Sequence, residues 1–83
     1  MNQEFECLVG QKIRQLRKQR GLTQEQLAAQ LQTNGCDVTR SALAKIEVGQ
    51  RHIYLDELKL FSCLLQVSYE ELLSGEQPSK VST

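Results

Sequence analysis

Apolar positions recur along this chain at spacings of three and four, and each run closes on a stop signal. Phe5, Val9, Ile13 and Leu16 mark one face of a first helix, from about Phe5 to Gln19, and Gly21 supplies its left-handed stop. A second helix begins at Thr23. Thr23 and Gln26 have the spacing of a capping box, Leu22 and Leu27 that of a hydrophobic staple, and Leu27, Ala28 and Leu31 face inward. It ends near Thr33, before Asn34-Gly35. The third starts at Thr39, with Val38 and Leu43 as a second staple, and stops at Val48-Gly49. The fourth covers about Leu55 to Gln66, and its start is poorly marked because Tyr54 is not a capping residue. The fifth is short: Ser68 and Glu71 form a capping box, Val67 and Leu72 a staple, and Gly75 ends it. No segment alternates with the period of a strand, so the expected fold is an all-α bundle of five helices. Residues 1–75 form one domain and residues 76–83 a flexible tail.

Eighty-three residues suffice for one domain with a limited core, too little for an extended enzyme cleft. Nothing approaches the ~20 apolar residues that span a bilayer. The start, MNQEFECLVGQK, places acidic residues where a secretory leader is basic, which points to the cytoplasm. Cys7, Cys36 and Cys63 are odd in number and far apart, which fits neither a disulfide framework nor a zinc site. Cys63, in an apolar stretch, reads as a small core residue, and Cys36, in the connection between helices 2 and 3, as exposed. His52 stands alone, without partners at metal-ligand spacing, and reads as a loop histidine. One His, scattered carboxylates and unclustered thiols offer no base and nucleophile pair, so no enzymatic activity and no cofactor are expected.

Net charge is zero, but its distribution is uneven. Between Gly10 and Arg51 eight basic residues face three acidic ones, and the flanking segments are acidic. A local basic field is what steers a nucleic-acid partner. On a wheel of ~100° per residue, Arg40, Ser41, Ala44 and Lys45 share one arc of helix 3, and Leu43 and Ile46 take the other. Such an arc can read base edges in a major groove: Arg and Lys donate to guanine, Ser bonds several bases, and a methyl group touches thymine. Taken alone, a charged face of this kind usually means water and nothing else. Arg17 falls on the apolar side of helix 1, and Glu47 at the edge of the helix 3 core face. They are either a locking ion pair or two independent charges, and the wheel leaves both open.

Three stretches in order, IRQLRKQRGLTQEQLAAQL, VTRSALAKIEVGQR and LDELKLFSCLLQVSYEELL, closely resemble the Cro/repressor-type (XRE) helix-turn-helix family over roughly Gly10 to Gly75. The resemblance implies a compact lambda-repressor-like bundle that binds double-stranded operator DNA as a two-fold homodimer. It implies base contacts from Arg40 and Ser41, a base or phosphate contact from Lys45, and phosphate or backbone contacts from Thr23, Gln24 and Arg51; the wheel adds the Ala44 methyl as a base contact and Thr39, at the helix 3 N-terminus, as a phosphate contact. It also implies a structural ion pair between Arg17 and Glu47. The chain departs from the family at Gln32 to Val38, about five residues beyond the usual short turn, so that helix 2 extends by a turn or a loop bulges outward. It departs again at Ile53-Tyr54, where the family often has Pro-Ser. Helix 4 is apolar nearly all round: Leu58, Phe61 and Leu65 share one face, Leu60 and Leu64 the other. It either contacts a second subunit or is covered by helices 1 and 5.

The leading expectation is therefore a sequence-specific transcription regulator of bacterial or phage type, nucleoid-associated, with no membrane or small-molecule partner. The alternative is an antitoxin-like or adaptor module that keeps the scaffold but binds protein. Such an adaptor has no need of Arg40, Lys45 or the Thr23-Gln24 pair, and this chain has kept them.

Overall fold

A computed structural model describes residues 3–73. The element order is α1 (Gln3–Gln19), α2 (Gln24–Thr33), α3 (Arg40–Glu47), α4 (Leu55–Leu65) and α5 (Tyr69–Leu73), with no strand among the described residues. The expected all-α, five-helix architecture is borne out. The expected tail at 76–83 and the stop at Gly75 lie outside the described residues.

The helix boundaries follow from local chemistry. Thr23 Oγ1 accepts from the Gln26 amide at 3.0 Å, and Gln26 Oε1 accepts from the Thr23 amide at 2.9 Å, a reciprocal cap at the start of α2. Thr39 Oγ1 accepts from the Ala42 amide and Ser68 Oγ from the Glu71 amide. At α4 the Tyr54 side chain makes no cap, and Glu57 reaches back instead to accept from the Tyr54 amide at 3.1 Å. Helices α1, α2, α3 and α4 all end in the paired backbone bonds of a Schellman turn. Gly21, Gly35 and Gly49 hold the left-handed position in the first three, but Gln66 holds it in α4, at φ 58°. Arg20 Nε donates to the Leu65 carbonyl at 2.6 Å, placing a cation on the negative end of α4.

Val9, Ile13, Leu16, Leu27, Leu31, Val38, Leu43, Ile46, Phe61, Leu65 and Leu72 form one core. Helix α3 packs on both α1 and α2, and α5 closes over α1 and α4. Within α4, Phe61 and Leu65 are fully buried, while Leu58, Leu60 and Leu64 are half-buried against the core. Cys63 is exposed, contrary to expectation. It lies about 200° round the helix from both Phe61 and Leu65, so burying those two turns it outward.

The connection between α2 and α3 neither bulges outward nor exposes its thiol. Cys36 and Val38 are buried. The Cys36 amide donates to the Leu31 carbonyl at 2.9 Å, and Gln32 Nε2 donates to the Val38 carbonyl at 3.2 Å. The Schellman turn points Cys36 back onto Leu31, the apolar contact that usually accompanies this motif. Cys36 and Val38 thus plug the core from this connection, while Gln32 to Gly35 and Asp37 stay exposed.

Candidate nucleic-acid interface

Eight residues make a helix of about 12 Å, too short to persist alone in water. Tertiary packing therefore sets the position of α3. Leu43 and Ile46 are fully buried, and Glu47 is 2% exposed. Gly10 allows the α1 backbone to lie directly on α3: a Cβ there would fall far inside van der Waals contact distance of the Ile46 carbonyl oxygen. On the opposite arc Arg40, Ser41 and Lys45 are exposed and Ala44 is half-buried. Val48, just past the helix, is exposed as well.

The end of α3 is fixed by a three-residue network. Arg17 Nε donates to Glu47 Oε2 at 2.7 Å, and Arg17 Nη2 to Oε1 at 3.0 Å, a bidentate buried pair. Gln24 Nε2 donates to the same Oε1 at 3.0 Å, and Arg17 Nη1 donates to the Leu22 carbonyl at 2.8 Å. Both carboxylate oxygens are satisfied, and α1, the start of α2 and the end of α3 meet at one point. The expectation for Gln24 was a phosphate contact. Its amide N–H is instead committed within the chain, which leaves its carbonyl and second N–H for other partners.

Thr23 and Thr39 are both exposed caps whose hydroxyl oxygens accept from the helix amides, so each hydroxyl hydrogen remains free to donate outward. Beside the N-terminus of α2 is a polar cleft lined by Arg14, Thr23, Gln24, Glu25 and Arg40. Arg14 is the residue sequence reasoning passed over. The signal for it was its place in the basic segment, three residues from Arg17 and on the exposed side of α1.

Arg51, the expected phosphate contact in the loop after α3, is held within the chain by an acidic partner. Its Nη1 and Nη2 meet Glu57 Oε1 and Oε2 at 2.9 and 3.0 Å, its Nη1 also donates to the His52 carbonyl, and its guanidinium stands 5.7 Å from the Tyr54 ring centre. Burial alone would raise the Glu57 carboxyl. The hydrogen bonds from Arg51 and from the Tyr54 amide, with the Arg51 charge, outweigh that and hold it below the usual carboxylate range. The hydrogen bond to Glu57 likewise raises Arg51. This clamp fixes the loop from α3 to α4. His52 Nδ1 lies 2.8 Å from Glu6 Oε1. Burial, then the charges of Glu57 and Asp56, push the Cys36 thiol up, the reverse of what a reactive thiolate requires.

Two adjacent helices, the second sunk in the core along one arc and polar along the other, define a helix-turn-helix protein of the DNA-binding class. The chain belongs to the helix-turn-helix family, whose model matches residues 13–72, and the Cro/repressor-type resemblance is borne out. It is similar to the HTH-type transcriptional activator BcrR of Enterococcus faecalis, 43% identical over 67 residues, which covers 81% of this chain and 30% of that protein. It is also similar to the control protein C.BamHI of Bacillus amyloliquefaciens, 35% identical over 74 residues, covering 88% of this chain and 85% of that one. No solved structure gives a significant match. Among the described residues no helix is long and apolar enough to cross a membrane.

Proposed function

We propose that the chain regulates transcription by laying α3 in the major groove of an operator. Arg40, Ser41, Ala44 and Lys45 read bases, while Thr23, Gln24 and Thr39, with Arg14, hold the flanking phosphates. The observation that carries this reading is the split of α3: Arg40, Ser41 and Lys45 are exposed, and the opposite arc is anchored in the core. Arg51 acts one step back, holding the loop after α3 through Glu57. The amides at the start of α2 and the Arg14–Arg40 cleft suit a phosphate. Two copies bind as a homodimer and read half-sites about one DNA turn apart. The chain acts by binding alone, without a catalytic step, cofactor or small-molecule ligand, in the cytoplasm at the nucleoid.

Selection of bound sequences from a random DNA pool is expected to yield a two-fold symmetric site. On that site Arg40→Ala and Lys45→Ala each cost about 1–3 kcal/mol and relax specificity, with little loss on random DNA. Affinity falls steeply with salt, as counterion release requires. Equal losses on both DNAs would remove the base-reading role, and salt-independent binding would favour the protein-binding adaptor.

A further inference from the structure

In the loop after α3 the guanidinium of Arg51 is committed to Glu57. The next residue is His52, the one histidine of the sequence. Its Nδ1 lies 2.8 Å from Glu6 Oε1, and the two side chains are 69% and 9% exposed. The carboxylate is buried and the imidazole stands outside it. The other ring nitrogen, Nε2, makes no hydrogen bond with the described residues.

The course of the loop keeps this ring beside the end of α3. The Gln50 amide donates to the Lys45 carbonyl at 2.8 Å, so the chain turns back on the last turn of α3 before it reaches His52. Gly49 packs directly on Cys7 of α1, and Arg51 Nη1 donates to the His52 carbonyl at 2.9 Å. A helix seated in a major groove about 12 Å wide has a phosphate strand along each side. A braced loop at the helix end faces one of those strands, where donors hold phosphates.

Glu6 decides which donor the ring can offer. A carboxylate only accepts, so a neutral His52 commits its one N–H to Glu6 and turns the Nε2 lone pair outward. The neutral ring and the charged carboxylate then present net negative charge to a phosphate. A second proton reverses both conditions: Nε2–H becomes an outward donor, and the pair becomes neutral. The other charges beside the ring, Arg51 in the loop and Glu57 of α4, offset each other.

We propose that His52 donates from Nε2 to a DNA phosphate, with Glu6 as the positioning residue behind it, so that DNA binding by this chain takes up a proton. The contact rests on the DNA-binding reading above but not on base reading, since a phosphate contact carries no sequence information. Linkage sets the sign and the size. A phosphate that makes the ring hold its proton about tenfold more tightly makes the protonated chain hold DNA about tenfold more tightly. That gain is present at low pH and is lost as pH rises through the histidine range.

The test is fluorescence anisotropy of the full chain at constant low salt, on its selected operator and on a random duplex, between about pH 8 and about pH 6. Wild-type affinity for both DNAs is expected to rise about tenfold per protomer as pH falls. His52→Gln should match wild type at the alkaline end and lose the rise, and His52→Lys should bind tightly throughout. Glu6→Gln should flatten the profile, because glutamine can donate to Nδ1 and leave Nε2–H outward on a neutral ring. With a single histidine in the chain, its imidazole proton resonance reports the same event, and its titration midpoint should move up when the random duplex is added. A flat wild-type profile, a His52→Gln variant that keeps the rise, or a midpoint unmoved by DNA would each overturn the proposal. Should Glu6→Gln fail to fold, the exposed His52 variants and the resonance decide alone. A flat profile with the operator still discriminated sinks the contact and leaves base reading intact. A rise on both DNAs without discrimination does the reverse.

Discussion

Replacing Arg17 by alanine strands Glu47 in the interior without its counter-charge. The two side chains are 7% and 1% exposed, so water cannot take over. Gln24 Nε2 would be the one side-chain donor left to the carboxylate among the described residues, and the Leu22 carbonyl would lose its guanidinium donor. Removing one member of a buried ion pair costs about 3–5 kcal/mol. The lost bond to Leu22 adds about 1 kcal/mol. A domain of this size has about 4–12 kcal/mol of total stability, so the variant should be close to unfolding at room temperature. At about 4–8 °C per kcal/mol the melting temperature should fall by roughly 15–45 °C. Urea titration followed by circular dichroism measures the loss. The control is Arg17→Met combined with Glu47→Leu, which removes both charges and keeps the volume. It should stay within about 2 kcal/mol of wild type or exceed it, because no charge is stranded. If Arg17→Ala unfolds within about 0.5 kcal/mol of wild type, the pair is not what holds the end of α3.

Gly10→Ala should destabilise by about 1–3 kcal/mol or more, since α1 and α3 must separate to admit the methyl group; the urea midpoint reports it. Gln66→Gly should stabilise by about 0.5–1 kcal/mol by relieving the left-handed backbone, seen as a higher melting temperature. Glu57 has a folded pKa below its unfolded value of about 4.3. Its contribution is therefore complete above that value and is lost as pH falls through the lowered one, so Glu57→Gln should flatten the acid limb of stability against pH, measured by thermal melts below about pH 5.

Local signals made the helices legible. Thr23, Thr39 and Ser68 cap where the sequence places them, and Gly21 and Gly49 end their helices. These are interactions between residues three or four apart, which a linear reading contains. What it lacks is the identity of the crossing partner. A wheel brings Arg17 to the apolar side of α1 but cannot show Gln24 arriving at the same carboxylate from α2. Arg51 shows only a cation in a loop, and its commitment to Glu57 depends on how that loop turns. Cys36 and Cys63 were inverted for two reasons: the additional residues fold back on α2, and two large neighbours outrank a small thiol for the interior.

The division of labour around α3 bears on how such a scaffold changes its target. Val38 and Thr39 hold the start of the helix, Gly10 its middle, and Arg17 with Gln24 its end, while the Arg51–Glu57 clamp fixes the loop beyond. None of these anchors lies on the outward arc. The side chains of Arg40, Ser41 and Lys45 make no hydrogen bond or ion pair with the described residues, so substituting them strands no buried partner. Surface changes of that kind usually alter stability by less than about 0.5 kcal/mol, whereas one lost base contact is worth about 1–3 kcal/mol of discrimination. On the proposed reading, target choice can therefore vary at these positions over a fold that hardly registers the change, and the fold can fail at Arg17 or Gly10 without any residue of the outward arc being touched.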